Sequence, residues 1–174
     1  MPLSPMLLLT GEYDLSLDEK NRIAIPSKIR EQILPEEHGR GFYQVLGPSR
    51  ILCLYPDEYY RRFVLAVVPG KAAPDELLTI DRVNLSQAGR VELDRQGRVL
   101  LTEKMLQRAS LKNQVTLIGA RDHLEVWDKV QWEAYLGEHF GWHEESLLMA
   151  RQVMIERERR KMEEQEEAEK LKTE

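Results

Sequence analysis

The sequence predicts an α+β protein made of two β-rich half-domains with short helices, followed by a helical, highly charged C-terminal extension. The half-domains are indicated by a repeat: DEKNRIAIP at residues 18–26 returns in altered form as DRQGRVLLT at residues 94–102, an offset of 94 − 18 = 76 residues. After both copies, apolar and polar residues alternate with the period of two that is typical of half-buried strands. The extension is indicated by the ending RERRKMEEQEEAEKLKTE, in which few residues are apolar.

Each repeat reads as a strand, a polar turn, a second strand, a short helix, a pair of strands and a helix. The strands before the turns are expected at residues 12–17 and 89–93, and the short helices at PSKIREQIL and TEKMLQRAS. Pro26 suits a first helical turn and Thr102 suits a helix cap. The predicted domains are 12–59 for repeat 1, 60–87 for a helical linker punctuated at Pro69-Gly70, 88–131 for repeat 2, and 132–174 for the C-terminal helix and charged tail.

A half-domain of about fifty residues is small for a core of its own, so mutual packing or oligomerisation is expected.

The single cysteine, Cys53, excludes an internal disulfide and fits a reducing cytosol. The first residues have no basic segment before their short apolar run, so a soluble intracellular protein without a membrane span is expected. The net charge of −5 argues against a non-specific nucleic-acid binder. Because much of the acid lies in the last segment, that net charge does not describe any one face.

The repeated turn has residues suited to a tight hairpin. Asp18 and Asp94 can accept backbone N–H bonds, and Asn21 and Gly97 readily take the left-handed conformation at the matching position. The arginine that closes the motif, Arg22 in the first copy, has two alternatives. It can bridge back to the aspartate, which contributes only about 0–1 kcal/mol when exposed, or it can project toward phosphates and base edges. Because local side-chain bonds are common at turns, the residues alone favour the bridge without excluding DNA contact.

Three segments resemble the MraZ transcriptional regulators, whose hallmark is an Asp-x-x-x-Arg turn in each of two SpoVT-AbrB repeats. These segments are GEYDLSLDEKNRIAIPSKIRE, LDRQGRVLL and LIGARDHLEVWDKVQWEAYL, and the resemblance covers about residues 11–136. It implies that two SpoVT-AbrB-like half-domains interlock with a pseudo-twofold relation, and that such units form a homo-oligomeric ring. Asn21 stands where the family usually has glycine, and Thr10-Gly11 stands where it usually has Arg-Gly.

The resemblance also implies a function. It predicts a cytoplasmic, nucleoid-associated regulator that binds double-stranded DNA repeats upstream of the division and cell-wall gene cluster containing its own gene. The candidate DNA-binding residues are Arg22, Lys20, Lys28, Arg30, Arg98 and Arg95, with Arg22 foremost, and the turn-structuring residues are Asp18, Asn21, Asp94 and Gly97. One unit offers few basic groups, so a ring reading direct repeats about 10 bp apart would gain from multivalency.

Other chemistry has little support in the sequence. His139 and His143 lack a third ligand at familiar spacing, so no metal, cofactor or small-molecule substrate is expected. Cys53 lies in an apolar strand and reads as core, and no acid–base pair stands out, so an enzyme is not expected. The aromatic residues are expected to pack rather than to form a stacking platform for single strands; they are Tyr59, Tyr60, Phe63, Trp127, Trp132 and Tyr135. The alternative function is an oligomeric protein-interaction module on the same fold, with structural turns and a partner-recruiting tail.

Overall fold

Eight strands and seven α-helices make up the part of the chain that the structure, a computed structural model, describes: residues 7–66 and 74–173. The strands are β1 (Glu12–Ser16), β2 (Arg22–Ala24), β3 (Gly41–Leu46), β4 (Leu52–Pro56), β5 (Gly89–Glu92), β6 (Arg98–Leu100), β7 (Gln114–Gly119) and β8 (Leu124–Asp128). The helices are α1 (Ser27–Arg30), α2 (Pro35–His38), α3 (Asp57–Ala66), α4 (Pro74–Leu85), α5 (Glu103–Arg108), α6 (Lys129–His139) and α7 (His143–Thr173). The chain divides into two units, of which the first ends at Trp132 and the second begins at Glu133.

The two halves of the first unit share their sheets. A six-stranded antiparallel sheet has the order β1-β7-β8-β4-β3-β5, and β2 pairs with β6 in a separate two-stranded ladder. Each strand of the second half corresponds to the strand numbered four lower in the first half, so that β5 corresponds to β1, β7 to β3 and β8 to β4. With this correspondence, the strand order is the same whether it is read from the β1 edge or from the β5 edge. The first strand of each half pairs with the third strand of the other half. The half-domains are therefore interlocked with a pseudo-twofold relation, as the resemblance implied.

One apolar core serves both halves. The buried side chains alternate along the strands, so that Leu52 and Leu54 of β4 face the same core as Leu124 and Val126 of β8. In the strand register Leu54 lies opposite Leu124, which brings the two halves into direct contact. The core continues through the small ladder with Ile23 and Val99, which are also paired. Because neither half supplies this core alone, the expected mutual packing is present.

The short helices differ from the prediction in the first half and agree with it in the second. The helix predicted over residues 26–34 is longer than the helix in the structure. Helix α1 ends at Arg30, and Pro26 precedes its first turn. Leu34 is extended, with φ −77° and ψ 116°, as expected for a residue before proline. A separate helix, α2, then begins at Pro35. In the second half Thr102 caps α5, since its hydroxyl accepts a hydrogen bond from the Met105 backbone N–H at 3.4 Å.

The linker and the C-terminal extension contain helices. Helix α4 begins at Pro74, where the linker helix was predicted, whereas the predicted break at Pro69-Gly70 lies outside the described residues. The extension contains α7, whose 31 residues form one helix, and its apolar side chains such as Leu148 and Met154 are exposed. Among the helices that the structure describes, none combines the length and hydropathy that a membrane span requires.

The aromatic residues pack in most of the predicted positions. Tyr60 is buried and stacks on Tyr43 with ring centroids 4.7 Å apart, and the rings of Trp127 and Trp132 are 5.2 Å apart. The prediction is wrong for Tyr135, which is 41% exposed on α6. The surroundings of the Phe63 side chain lie outside the described residues.

The shared core predicts the cost of removing one contact between the halves. Replacing the fully buried Leu54 with alanine should lower the free energy of unfolding by about 2–5 kcal/mol, because it removes transfer free energy and leaves a cavity. Leu100→Ala is the matched control, since this leucine is 46% exposed on β6 and its loss should change stability by only about 0.5 kcal/mol. Urea denaturation of both variants measures the difference. Equal losses would contradict a core at the junction of the two halves.

Candidate nucleic-acid interface

The two motif turns lie side by side because their outgoing strands pair. In the β2–β6 ladder Arg22 lies opposite Leu100, and Ala24 lies opposite Arg98. Beyond the ladder, the Leu101 N–H donates to the Asn21 carbonyl at 2.8 Å, and the Ile25 N–H donates to the Gly97 carbonyl at 2.9 Å. Each turn is therefore held by the chain that leaves the other turn. The resulting surface needs both repeats.

Within each turn one aspartate organises the backbone. Asp18 Oδ1 accepts hydrogen bonds from the backbone N–H groups of Lys20 at 2.9 Å and Arg22 at 3.0 Å. Asp94 Oδ1 accepts the matching bonds from Gln96 and Arg98 at the same two distances. This use of a carboxylate to replace a backbone acceptor is the mechanism of an Asx turn.

The residue before each arginine adopts the left-handed conformation. Asn21 has φ 58° and Gly97 has φ 74°. The N–H of each donates to the backbone carbonyl of the aspartate that opens its turn, at 2.9 Å in both copies. Asparagine tolerates this conformation better than most residues with a side chain, so the first copy keeps the shape of the second without a glycine.

The motif arginines bridge back to the aspartates. Arg22 Nε and Nη2 both lie 2.8 Å from Asp18 Oδ2, and Arg98 makes the same pair of contacts, also at 2.8 Å, with Asp94 Oδ2. The Nη1 atom of each arginine reaches the aspartate of the other turn at 3.5 Å. We call Asp18, Arg22, Asp94 and Arg98 the Asp–Arg quartet. Its side chains are 25–32% exposed, and its formal charges cancel.

The quartet lowers the pKa of both aspartates. The side-chain hydrogen bond from Arg22 is the largest influence on Asp18, and it lowers the pKa from 3.8 to about 2. For Asp94 the backbone N–H of Arg98 is the largest influence, followed by the Arg98 side chain, and the pKa again falls from 3.8 to about 2. Both aspartates are therefore ionised at neutral pH and can retain their arginines.

Exposed basic side chains lie on the two turns and on α1, the helix that follows β2. Lys20 and Arg95 lie at the tips of the two turns, and Lys28 and Arg30 lie on α1. The Arg30 Nε donates to the Ile25 carbonyl at 3.0 Å, and a Cβ built on Gly97 would lie 2.8 Å from its Cζ, so this repeat 1 residue covers the second turn. None of these four residues takes part in an ion pair found among the described residues.

A buried glutamine that the sequence analysis missed connects the paired turns to the main sheet. Gln44 lies in β3, where its amide nitrogen donates to the Leu100 carbonyl and its amide oxygen accepts from the Thr102 N–H. A buried polar group without a hydrogen-bond partner lowers the stability of the fold. The two hydrogen bonds of Gln44 therefore hold the backbone in place where β6 ends. The sequence feature that could have identified Gln44 is its position as a polar residue within the apolar run GFYQVL.

A different set of residues is arranged as a group that could hold a metal ion. Among the described residues the group consists of Cys53, His123 and Glu125, whereas His139 stacks on Tyr135 at 4.1 Å. Cys53 is buried, as its apolar strand predicted. Burial lowers the pKa of His123, but hydrogen bonds with Cys53, Glu125 and Asp122 outweigh this effect and raise the pKa from 6.5 to about 10.

Comparison with known proteins agrees with the paired repeats. A family model described as "MraZ protein, putative antitoxin-like" matches residues 8–68 and 85–158, which include both motif turns. The chain belongs to the MraZ family. A relative in Bifidobacterium longum, named "Transcriptional regulator MraZ", is 36% identical over 140 residues, which are 78% of this chain and 86% of that protein.

Two further relatives with the same name come from other organisms. The "Transcriptional regulator MraZ" of Lachnoclostridium phytofermentans is 32% identical over 129 residues, covering 73% of this chain and 86% of the relative. The protein of the same name in Methylococcus capsulatus is 31% identical over 141 residues, covering 81% of this chain and 90% of the relative. The resemblance seen in the sequence is thereby confirmed at the level of the family.

The left-handed conformation of Asn21 predicts which substitutions the first turn accepts. Asn21→Gly should change the free energy of unfolding by less than about 1 kcal/mol, because glycine adopts positive φ without strain. Asn21→Val should cost about 1–2 kcal/mol, because its Cβ crowds the following carbonyl oxygen in this conformation. Urea denaturation of the two variants measures the difference, and equal stability of both would argue against a left-handed residue at this position.

The lowered pKa values predict acid sensitivity. An aspartate with a lower pKa in the folded state adds stability at pH values above its unfolded pKa, and this contribution is lost as the pH falls. The free energy of unfolding should therefore decrease between pH 3.8 and about 2 as Asp18 and Asp94 are protonated. The double variant Asp18→Asn/Asp94→Asn should show a smaller decrease over the same range. Denaturant titrations at several pH values test this, and an unchanged pH dependence in the double variant would contradict the prediction.

Proposed function

We propose that this MraZ chain is a transcriptional regulator that binds specific sequences in double-stranded DNA through its two motif turns. The observation that carries the proposal is the β2–β6 pairing, which places the two copies of the motif beside each other with Lys20 and Arg95 exposed at their tips. Two neighbouring projections of similar shape suit neighbouring positions on one duplex. The relatives that carry the name "Transcriptional regulator MraZ" support the same function.

The exposed cations and the quartet have different roles in this proposal. Lys20, Lys28, Arg30 and Arg95 are the phosphate contacts, because exposed cations position a protein on the DNA backbone. Arg22 and Arg98 are the base-edge contacts. Each directs Nε and Nη2 to its own aspartate, whereas Nη1 is 3.5 Å from the other aspartate, beyond good hydrogen-bond length. A guanidinium has five N–H donors, so donors remain for guanine or phosphate oxygens while the aspartate fixes the plane of the group.

Several copies of the unit are needed for strong binding. The chain carries a net charge of −5, and the basic residues around one pair of turns are few. A homo-oligomeric ring would present this surface repeatedly, and each bound turn would raise the effective concentration of the next. The DNA target would then be direct repeats, spaced about one helical turn apart, upstream of the division and cell-wall gene cluster that contains the chain's own gene. This target implies a cytoplasmic, nucleoid-associated protein.

A protein-interaction module is the second candidate function. It is favoured by the Asp–Arg quartet, because arginines whose ion pairs with aspartates stabilise a turn have a structural role without any DNA ligand. Exposed apolar side chains on α7, such as Leu148 and Met154, would then contact a partner. This module predicts no preference for any DNA sequence.

Charge-removing substitutions separate the two functions. In the variant Lys20→Gln/Arg95→Gln, affinity for duplex DNA from upstream of the chain's own gene should fall by about tenfold or more, because two phosphate contacts are lost. The slope of log affinity against log salt should become shallower by about 1.8, at about 0.9 for each contact. Fluorescence anisotropy over a salt series, with scrambled duplex as a reference, measures both quantities.

The matched control is Arg50→Gln/Arg121→Gln. These exposed arginines lie in the β3–β4 and β7–β8 hairpins, at the strand ends opposite the motif turns, and their removal changes the net charge equally. Its binding should stay close to wild type. If both double variants bind alike, or if wild type binds scrambled DNA equally well, specific DNA binding through the turns is wrong and the interaction module is favoured.

Arg22→Lys tests the base-edge role separately. Lysine keeps the positive charge but loses the planar fork that engages a carboxylate and a base edge together. The preference for specific over scrambled DNA should decrease by about 5- to 150-fold, equivalent to the 1–3 kcal/mol of a bidentate base contact. Non-specific affinity should remain. An unchanged preference in a folded variant would restrict Arg22 to a structural role.

A further inference from the structure

Three side chains meet on the face of the β4–β8 pair that points away from the shared core. Cys53 lies directly opposite Glu125 in the strand register, and His123 lies two residues before Glu125, on the same side of its strand. One potential ligand atom from each residue lies within 4.8 Å of the other two. Cys53 comes from the first half and the other two residues come from the second. None of them belongs to the motif turns.

We propose that Cys53 Sγ, His123 Nε2 and Glu125 Oε1 form a binding site for Zn²⁺, with a fourth position left for water. A thiolate, an imidazole nitrogen and a carboxylate oxygen are the three donor types that proteins use for zinc. The thiolate disfavours magnesium and calcium, which prefer oxygen ligands. Binding requires loss of the thiol proton from Cys53 and of the Nε2 proton from His123, and both protons are released to solvent as the sulfur–zinc and nitrogen–zinc bonds form.

The distance between two of the donors agrees with a shared metal ion. His123 Nε2 lies 3.4 Å from Glu125 Oε1. Two ligand atoms that are each 2.0–2.2 Å from a tetrahedral zinc ion lie roughly 3.3–3.6 Å apart. A direct charge-assisted N–H···O bond would be shorter, at about 2.7–2.9 Å. The two groups share a long hydrogen bond, and their spacing is already that of two ligands on one tetrahedral ion.

His123 and Glu125 each have a second polar atom, which contacts another side chain instead of the proposed ion. His123 Nδ1 lies 2.7 Å from Asp122 Oδ1, and the Tyr59 hydroxyl donates to the other oxygen of Asp122 at 2.6 Å. Glu125 Oε2 accepts a hydrogen bond from Trp127 Nε1 at 2.9 Å. A carboxylate behind a histidine ligand is the usual support of a zinc site, because it orients the ring and leaves Nε2 for the metal.

The surroundings of the sulfur and the ring complete the site. The Cys53 residue is only 2% exposed. Gly47 leaves space beside the thiol, since a Cβ at that position would lie 2.7 Å from the sulfur. The imidazole of His123 stacks on Tyr55 with ring centroids 4.5 Å apart, which limits its rotation. His123 and Glu125 are partly exposed, so an ion can enter from their side. A bound ion would connect the two interlocked halves.

Cobalt provides the first test, because it takes the same ligands as zinc and gives coloured complexes. The untagged full chain, reduced and freed of metal, should bind one equivalent of Co²⁺ with the visible bands of a tetrahedral complex and a sulfur-to-cobalt charge-transfer band. Cys53 is the only cysteine in the chain, so that band identifies its sulfur as a ligand. Zn²⁺ should displace the cobalt. Absence of the charge-transfer band at one equivalent would overturn the proposal.

Zinc titrations of variants provide the second test. Cys53→Ser and Glu125→Gln should each weaken Zn²⁺ binding by at least tenfold in calorimetry, and zinc should raise the melting temperature of wild type but not of these variants. The double variant His139→Gln/His143→Gln is the control, because it removes two histidines outside the site, and it should bind as wild type does. Equal weakening in the control, or unchanged binding in Cys53→Ser, would overturn the proposal. If a site variant fails to fold, the wild-type cobalt spectrum still decides.

Discussion

The architecture around the motif depends on how one aspartate is used in each turn. Asp18 closes its turn by accepting two backbone N–H bonds on Oδ1, and it holds Arg22 on Oδ2. A carboxylate has about four lone-pair sites, so one side chain can serve both purposes. Asp94 repeats this arrangement, and the two turns consequently have the same shape. Equal shapes allow the reciprocal backbone bonds by which each turn is held by the strand leaving the other.

This reciprocity extends to the whole first unit. Each half supplies an edge strand beside the other half, so a separated half would expose unpaired strand edges and an incomplete core. The duplication in the sequence is therefore a requirement of folding as well as a source of two similar surfaces. In our proposals both DNA contact and zinc binding depend on it, because the Asp–Arg quartet and the cysteine–histidine–glutamate group each combine residues of both halves.

The charge distribution explains how an acidic chain can bind DNA as proposed. The quartet contributes no net charge, and the attraction to phosphates comes from Lys20, Arg95 and the two basic residues of α1. Residues 133–174, the second unit, hold 12 of the 30 acidic residues and 7 of the 25 basic ones, and their formal charge of 7 − 12 = −5 equals that of the whole chain. Electrostatic attraction is local at physiological salt, where screening acts within about 8 Å, so the basic groups nearest to a phosphate decide how strongly it is attracted.

The sequence by itself determined the features that depend on near neighbours in the chain: the two Asx turns, the left-handed Asn21 and Gly97, the Thr102 cap and the alternating strands. These follow from interactions across four residues or fewer, or from a period of two. Only the tertiary structure decided the direction of Arg22, since Asp94, its second partner, lies 94 − 22 = 72 residues away. Strand register likewise brought Cys53 opposite Glu125. Register is set by packing across the whole sheet, and a local pattern does not contain that information.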